Sequence, residues 1–125
     1  MTALPQPTEI RPWAAYQNLF EAAGFLVKLI EVAPGQRLSL QRHFKREESW
    51  IVVSGEGTFE LDGEESMIGP GAMVRVGVKQ VHRVGNRGDA PLIILELQKG
   101  TCDENDIERL ADDYQRAPTE NLSTV

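Results

Sequence analysis

Residues 34–55 read PGQRLSLQRHFKREESWIVVSG. The stretch opens on a Pro-Gly turn signal and closes on an aromatic and β-branched run before Gly55, so it reads as short strands and not as a helix. Within it Gln41 and His43 lie two apart, a spacing that puts both side chains on one face of a strand. Glu48 opens the next run and can fold back beside them. An amide oxygen, an imidazole and a carboxylate from neighbouring strands form a mixed N/O set that suits a borderline divalent ion, unlike a thiolate-rich structural zinc site. The chain has two histidines, and the second, His82, lies in GAMVRVGVKQVHRVGN at residues 71–86. It is the expected fourth ligand. Gln41, His43, Glu48 and His82 would leave coordination positions open, as a catalytic ion needs.

Outward from this stretch the same texture continues. Runs at 25–33, 38–41, 48–54, 57–61, 64–68, 73–76, 82–85 and 92–98 are rich in strand formers and are separated by Pro34-Gly35, Asp62-Gly63, Pro70-Gly71 and the sequence NRGD at 86–89. This pattern is that of an all-β sandwich or barrel. Asp62-Gly63 is the strongest two-residue hairpin turn. Two flanks read differently. Residues 14–23 carry Tyr16, Leu19, Phe20 and Ala23 at helical spacing before Gly24, and residues 103–115 carry Ile107, Leu110, Ala111 and Tyr114 likewise after acidic residues suited to a helix start. The expected organisation is an N-terminal arm and short helix over 1–24, a barrel over 25–100, a C-terminal helix over 101–116 and a flexible tail over 117–125.

Composition narrows the function. A chain of 125 residues has room for one core, and a net charge of −6 argues against nucleic acid or an anionic membrane as partner. Cys102 is the single cysteine, which excludes an internal disulfide. The start, MTALPQPTEIRPW, lacks the features of a signal peptide, and no apolar run is long enough to span a bilayer. A soluble cytoplasmic protein is expected. A homodimer is expected too, since a small barrel exposes edge strands that pairing or exchange of the N-terminal arm can cover.

With both histidine segments in view, the sequence resembles the cupin superfamily. Gly35, Gln41, His43, Glu48 and Gly55 fit its first motif, with Gln in place of the first His. Gly71, His82 and Asn86 fit its second, with Gly77 and Lys79 in place of its Pro and Gly. More narrowly, it is similar to the cupin part of type II phosphomannose isomerases. R-P-W at 11–13, L-S-L-Q-x-H at 38–43, Arg46, E-x-W at 48–50, L-x-L-Q-x-G at 95–100 and D-I-x-R at 106–109 carry this likeness. It departs at Trp13-Ala14-Ala15-Tyr16, where the family has W-G-x-Y, and at Tyr114-Gln115-Arg116, where it has Y-G-R. The guanylyltransferase part of the bifunctional members has no counterpart in the resemblance.

The resemblance implies a double-stranded β-helix, or jelly-roll barrel, with short flanking helices. It implies a metal-dependent isomerase that interconverts mannose 6-phosphate and fructose 6-phosphate. The metal would be zinc first, with manganese, cobalt, nickel or iron as the other fits. Glu48, Lys28 and Arg116 are then the catalytic candidates. Arg37, Ser39, Arg46, Lys79, Arg109 and Arg116 are the candidates for contacting a sugar-phosphate substrate, with Arg109 or Arg116 on the phosphate. A metal-containing cupin that binds a sugar without turnover, or a cupin oxygenase, is the alternative. Truncation after Lys99 is expected to leave barrel and metal in place but to abolish isomerase activity or sugar-phosphate binding.

Overall fold

The computed structural model describes residues 9–114 and 116. Eleven strands follow one another: β1 (Glu9–Ile10), β2 (Ala14–Ala22), β3 (Phe25–Val32), β4 (Leu40–Arg42), β5 (Arg46–Ser54), β6 (Gly57–Leu61), β7 (Glu64–Ile68), β8 (Met73–Val76), β9 (His82–Gly85), β10 (Leu92–Gly100) and β11 (Glu108–Ala111). They form two antiparallel sheets, one ordered β1-β2-β3-β10-β5-β8 and the other β11-β4-β9-β6-β7. Trp13, Ile30, Val32, Trp50, Val52, Phe59, Val84, Leu92 and Ile94 are among the side chains buried between them. Asp62 and Gly63 both have positive φ, 48° and 89°, as the tight β6–β7 turn requires.

The six-stranded sheet explains where a site can form. Along β10 the inward residues are Leu92, Ile94, Glu96 and Gln98, all buried. Ile94 lies opposite Val52 and Ile30, Glu96 opposite Trp50 and Lys28, and Gln98 opposite Glu48. Three adjacent strands therefore change from apolar to polar on their inner face within two residues of the same level. One end of the barrel is hydrocarbon and the other is a polar cavity.

Neither expected helix exists, and among the described residues there is no helix at all. Residues 14–22 are β2, hydrogen-bonded along β3 from Ala14↔Val32 to Ala22↔Phe25. A register shift between Asn18 and Phe20 breaks the alternation, so Tyr16, Leu19 and Phe20 acquire a spacing that imitates a helical stripe. Gly24, with φ 79°, turns a hairpin instead of capping a helix. Over 103–115 a turn at 104–105 leads into β11, which pairs with the edge of β4 and is itself shifted between Arg109 and Ala111. Its acidic residues serve neighbouring strands: Asp106 accepts hydrogen bonds from the backbone of Phe44 and Lys45. The expected C-terminal appendage is thus part of the second sheet. The expected tail at 117–125 and the first eight residues of the arm lie outside the described residues.

Candidate metal centre

His43 follows β4 directly, Glu48 lies on β5, and His82 begins β9. His43 Nε2 is 3.2 Å from Glu48 Oε2, and His82 Nε2 is 3.5 Å from Glu48 Oε1. One donor atom from each of the three residues lies within 4.8 Å of the others, and all three residues are buried. Gln41 is the cross-strand partner of His82 and lines the same cavity. The structure brings His43, Glu48 and His82 together, and places Gln41 opposite His82 on the neighbouring strand.

The imidazoles are oriented from behind. His43 Nδ1 is 2.7 Å from the Asp106 carbonyl, and His82 Nδ1 is 3.0 Å from the Gln80 carbonyl. A carbonyl only accepts, so both rings carry their proton on Nδ1 and turn the Nε2 lone pair toward Glu48. Burial, aided by the like charge of Arg46, outweighs the upward pull of the Glu48 carboxylate and leaves the His43 pKa lowered to about 4. His82 is lowered as well, with burial as the main cause. Both are therefore neutral at pH 7, as a ligand must be. His82 Nε2 is buried and has no hydrogen-bond partner among the described residues. A lone pair left in that state is costly, and a cation there would satisfy it. The donor set fits a divalent metal of the borderline class.

Glu48 is held on both oxygens. Trp50 Nε1 donates to Oε1 at 2.9 Å and Arg46 Nε donates to Oε2 at 2.8 Å. Arg46 Nη2 also lies 3.2 Å from His43 Nε2, and Nη1 donates to the Asp103 carbonyl at 3.1 Å. Burial opposes the charge on Glu48, but its hydrogen bond with Glu96 and the charge of Arg46 outweigh it and keep the carboxylate ionised. Glu96 is the reverse: full burial, then repulsion from Glu48, drives its pKa well up, and it stays protonated. Gln98 donates to Glu96 at 3.3 Å.

Above the ligands is a cavity of about 340 Å³. Lys28, Ser39, Arg46, Arg109 and Arg116 line it, as does Arg11. Lys28 also lies 3.4 Å from Glu104. Arg116 is paired with Asp112 at 2.6 Å, and its guanidinium sits 4.6 Å from the Trp13 ring, which stacks on Tyr114. Two of the expected substrate contacts are elsewhere. Arg37 pairs with Asp113 outside the cavity lining. Lys79 is exposed, and its contribution is a backbone N–H donated to the His43 carbonyl at 2.7 Å. Sequence reasoning missed the parts played by Glu96, Gln98 and Asp106 and the hydrogen bond from Trp50 to Glu48. For Glu96 and Gln98 a signal existed: they fall on the same alternation as Leu92 and Ile94, where a polar residue must have a partner.

Two facing antiparallel sheets enclosing a buried pair of histidines and a glutamate define a cupin-type double-stranded β-helix protein. A double-stranded β-helix protein from Klebsiella pneumoniae superposes with a TM-score of 0.71 at 21% identity, over 83% of this chain and 89% of that one. The family described as Mannose-6-phosphate isomerase C-terminal matches residues 5–112, and the chain belongs to it. The alginate biosynthesis protein AlgA of Pseudomonas aeruginosa is 41% identical over 116 residues, 92% of this chain and 24% of that protein. A mannose-1-phosphate guanylyltransferase of Escherichia coli is 35% identical over 107 residues, 85% of this chain and 22% of that protein. The chain thus spans about a quarter of the length of these relatives.

Proposed function

We propose that the protein is a metal-dependent sugar-phosphate isomerase that interconverts mannose 6-phosphate and fructose 6-phosphate, with zinc as the first choice of ion. The observation that carries this reading is a buried cluster of two neutral imidazoles and an ionised carboxylate, one of whose members, His43, lines a cavity whose wall bears Arg11, Lys28, Arg109 and Arg116. Such a wall suits an anionic substrate. Membership of a family described as Mannose-6-phosphate isomerase C-terminal supports a sugar phosphate as that anion. Gln41, His43, Glu48 and His82 would hold the ion, which when bound polarises a carbonyl and makes the adjacent C–H acidic.

The remaining work falls to the chain itself. Arg109 and Arg116 hold the phosphate. Ser39, buried on the cavity wall, orients a sugar hydroxyl. Both oxygens of Glu48 are engaged by Trp50 and Arg46, so Lys28, cross-strand from Glu96 and facing the cavity, is the better placed of the two to move the proton between carbons. The reducing conditions of the cytoplasm suit the lone Cys102.

A linked-enzyme assay with mannose 6-phosphate and zinc-reconstituted protein tests the reading. Turnover that disappears in His82→Ala together with stoichiometric zinc is expected. Zinc and sugar-phosphate binding with no turnover would make the protein a binding module, and no stoichiometric zinc at all would remove the metal from the reading.

A further inference from the structure

We propose that Asp106 is a positioning residue of the metal centre, fixing the ring of His43 and clamping the loop that carries it. The inference rests on the metal reading above, and concerns how the affinity of the centre for a divalent cation is set.

His43 is the ligand least secured by the sheets. It sits between β4 and β5, and the two residues after it, Phe44 and Lys45, are exposed. The Phe44 ring meets only the guanidinium of its neighbour Arg42, 5.2 Å away, and the loop is tied down chiefly through its main chain, with Lys79 N donating to the His43 carbonyl and Thr101 N to that of Lys45. The backbone N–H groups of Phe44 and Lys45 both go to one carboxylate: Phe44 N donates to Asp106 Oδ1 and Lys45 N to Oδ2, each at 2.9 Å. The carbonyl of the same residue receives Nδ1–H of His43 at 2.7 Å. One residue, 63 positions away in sequence, thus holds the ligand and the two residues that follow it. Asp106 is itself braced by a backbone hydrogen bond to the Asp103 carbonyl, at 3.0 Å, which also receives Arg46.

The consequence is directional. Without the carboxylate, the 44–45 amides lose their acceptors and the 106 carbonyl is no longer held under the imidazole. The ring can then rotate or exchange tautomers, and its lone pair is no longer fixed on the point where His82 and Glu48 converge. Loss of such a partner typically lowers metal affinity by about 10- to 100-fold.

The test uses the full chain, stripped with chelator and reloaded. Zn²⁺ affinity is measured by competition with a chromophoric chelator, and the visible absorption of the Co²⁺ form reports coordination geometry. Asp106→Ala is expected to weaken Zn²⁺ binding by about 10- to 100-fold and to alter the Co²⁺ band. Asp106→Asn, the same size with one acceptor oxygen, is expected to fall between that variant and the parent. Asp113→Asn, a change in the same segment that breaks the pair with Arg37, is expected to leave both readouts unchanged. If the alanine variant does not fold, the asparagine variant decides alone. Affinity within twofold of the parent and an unchanged Co²⁺ spectrum in the folded Asp106 variants would overturn the proposal. A parent protein that binds neither Zn²⁺ nor Co²⁺ would overturn the metal reading itself, and this inference with it.

Discussion

At the floor of the cavity Glu48 and Glu96 sit together, and burial of both permits one negative charge between them. Glu48 takes it, because Arg46 and Trp50 donate to its oxygens, and Glu96 keeps its proton. A carboxyl whose pKa is raised by folding contributes its full stability below the unfolded value, near 4.5, and loses it as pH rises toward the folded value. Glu96→Gln keeps a neutral, similarly shaped group with no proton to lose. In chelator-treated protein the variant is therefore expected to gain stability over the parent as pH rises from 5 to 8, by up to about 1.4 kcal/mol per pH unit. Thermal or urea unfolding at each pH measures the gap. A gap that stays constant would mean Glu96 is ionised in the folded protein.

Among the strands, β11 and the strap before it change what truncation should do. The sequence suggests a separable tail. In the structure, 101–116 gives Asp106 to the loop after β4, gives β11 to the edge of β4, and stacks Tyr114 on Trp13 at 3.9 Å. Trp13 is 8% exposed, and uncovering a side chain of that size costs about 2–5 kcal/mol. Truncation after Lys99 is thus expected to abolish metal binding and broaden or lower the unfolding transition, measured by zinc titration and circular dichroism. Full zinc affinity in the truncated chain would show that the strap is dispensable.

That reversal also marks where sequence reading reached its limit. Interior strands with clean alternation and a turn such as Asp62-Gly63 were legible, as was the meeting of His43, Glu48 and His82. In β2 and β11 a shifted register disrupts the period of two, and local spacing then favours the wrong element. Asp106 was out of reach for a different reason: its role depends on a backbone carbonyl and on a contact 63 residues distant. Glu96 was within reach, since its phase on β10 was readable, but its partner Glu48 becomes visible only once β5 and β10 are paired.

For the whole molecule the outer face of the six-stranded sheet matters most. Val27 and Leu29 on β3, Ile93, Leu95 and Leu97 on β10, Ile51 and Val53 on β5, and Met73 on β8 alternate with the inward residues, and Met73 and Val53 are 70% and 53% exposed. The outer face thus carries an apolar patch bordered by Glu47, Arg75 and Lys99. The charges around the patch balance: Glu47 pairs with Arg75 at 3.1 Å, and Glu31 and Lys99 lie toward opposite ends of the β3–β10 ladder. A second copy docked across a two-fold axis perpendicular to the strands would bring each Lys99 end toward the other copy's Glu31 end. In an acidic chain this is a face that can meet itself without repulsion. The expected mass by light scattering is twice 13.9 kDa, and Leu97→Glu is expected to give the single-chain mass. A parent protein that runs as one chain at micromolar concentration would exclude the dimer.

The strap also has a bearing on when the centre comes into being. Synthesis proceeds from the N-terminus, so Gln41, His43, Glu48 and His82 all leave the ribosome before the residue that steadies His43. A chain made only as far as β10 would present all four of these side chains and still lack the residue that orients the His43 ring, so the order of the residues along the sequence is also an order in which such a centre would be completed.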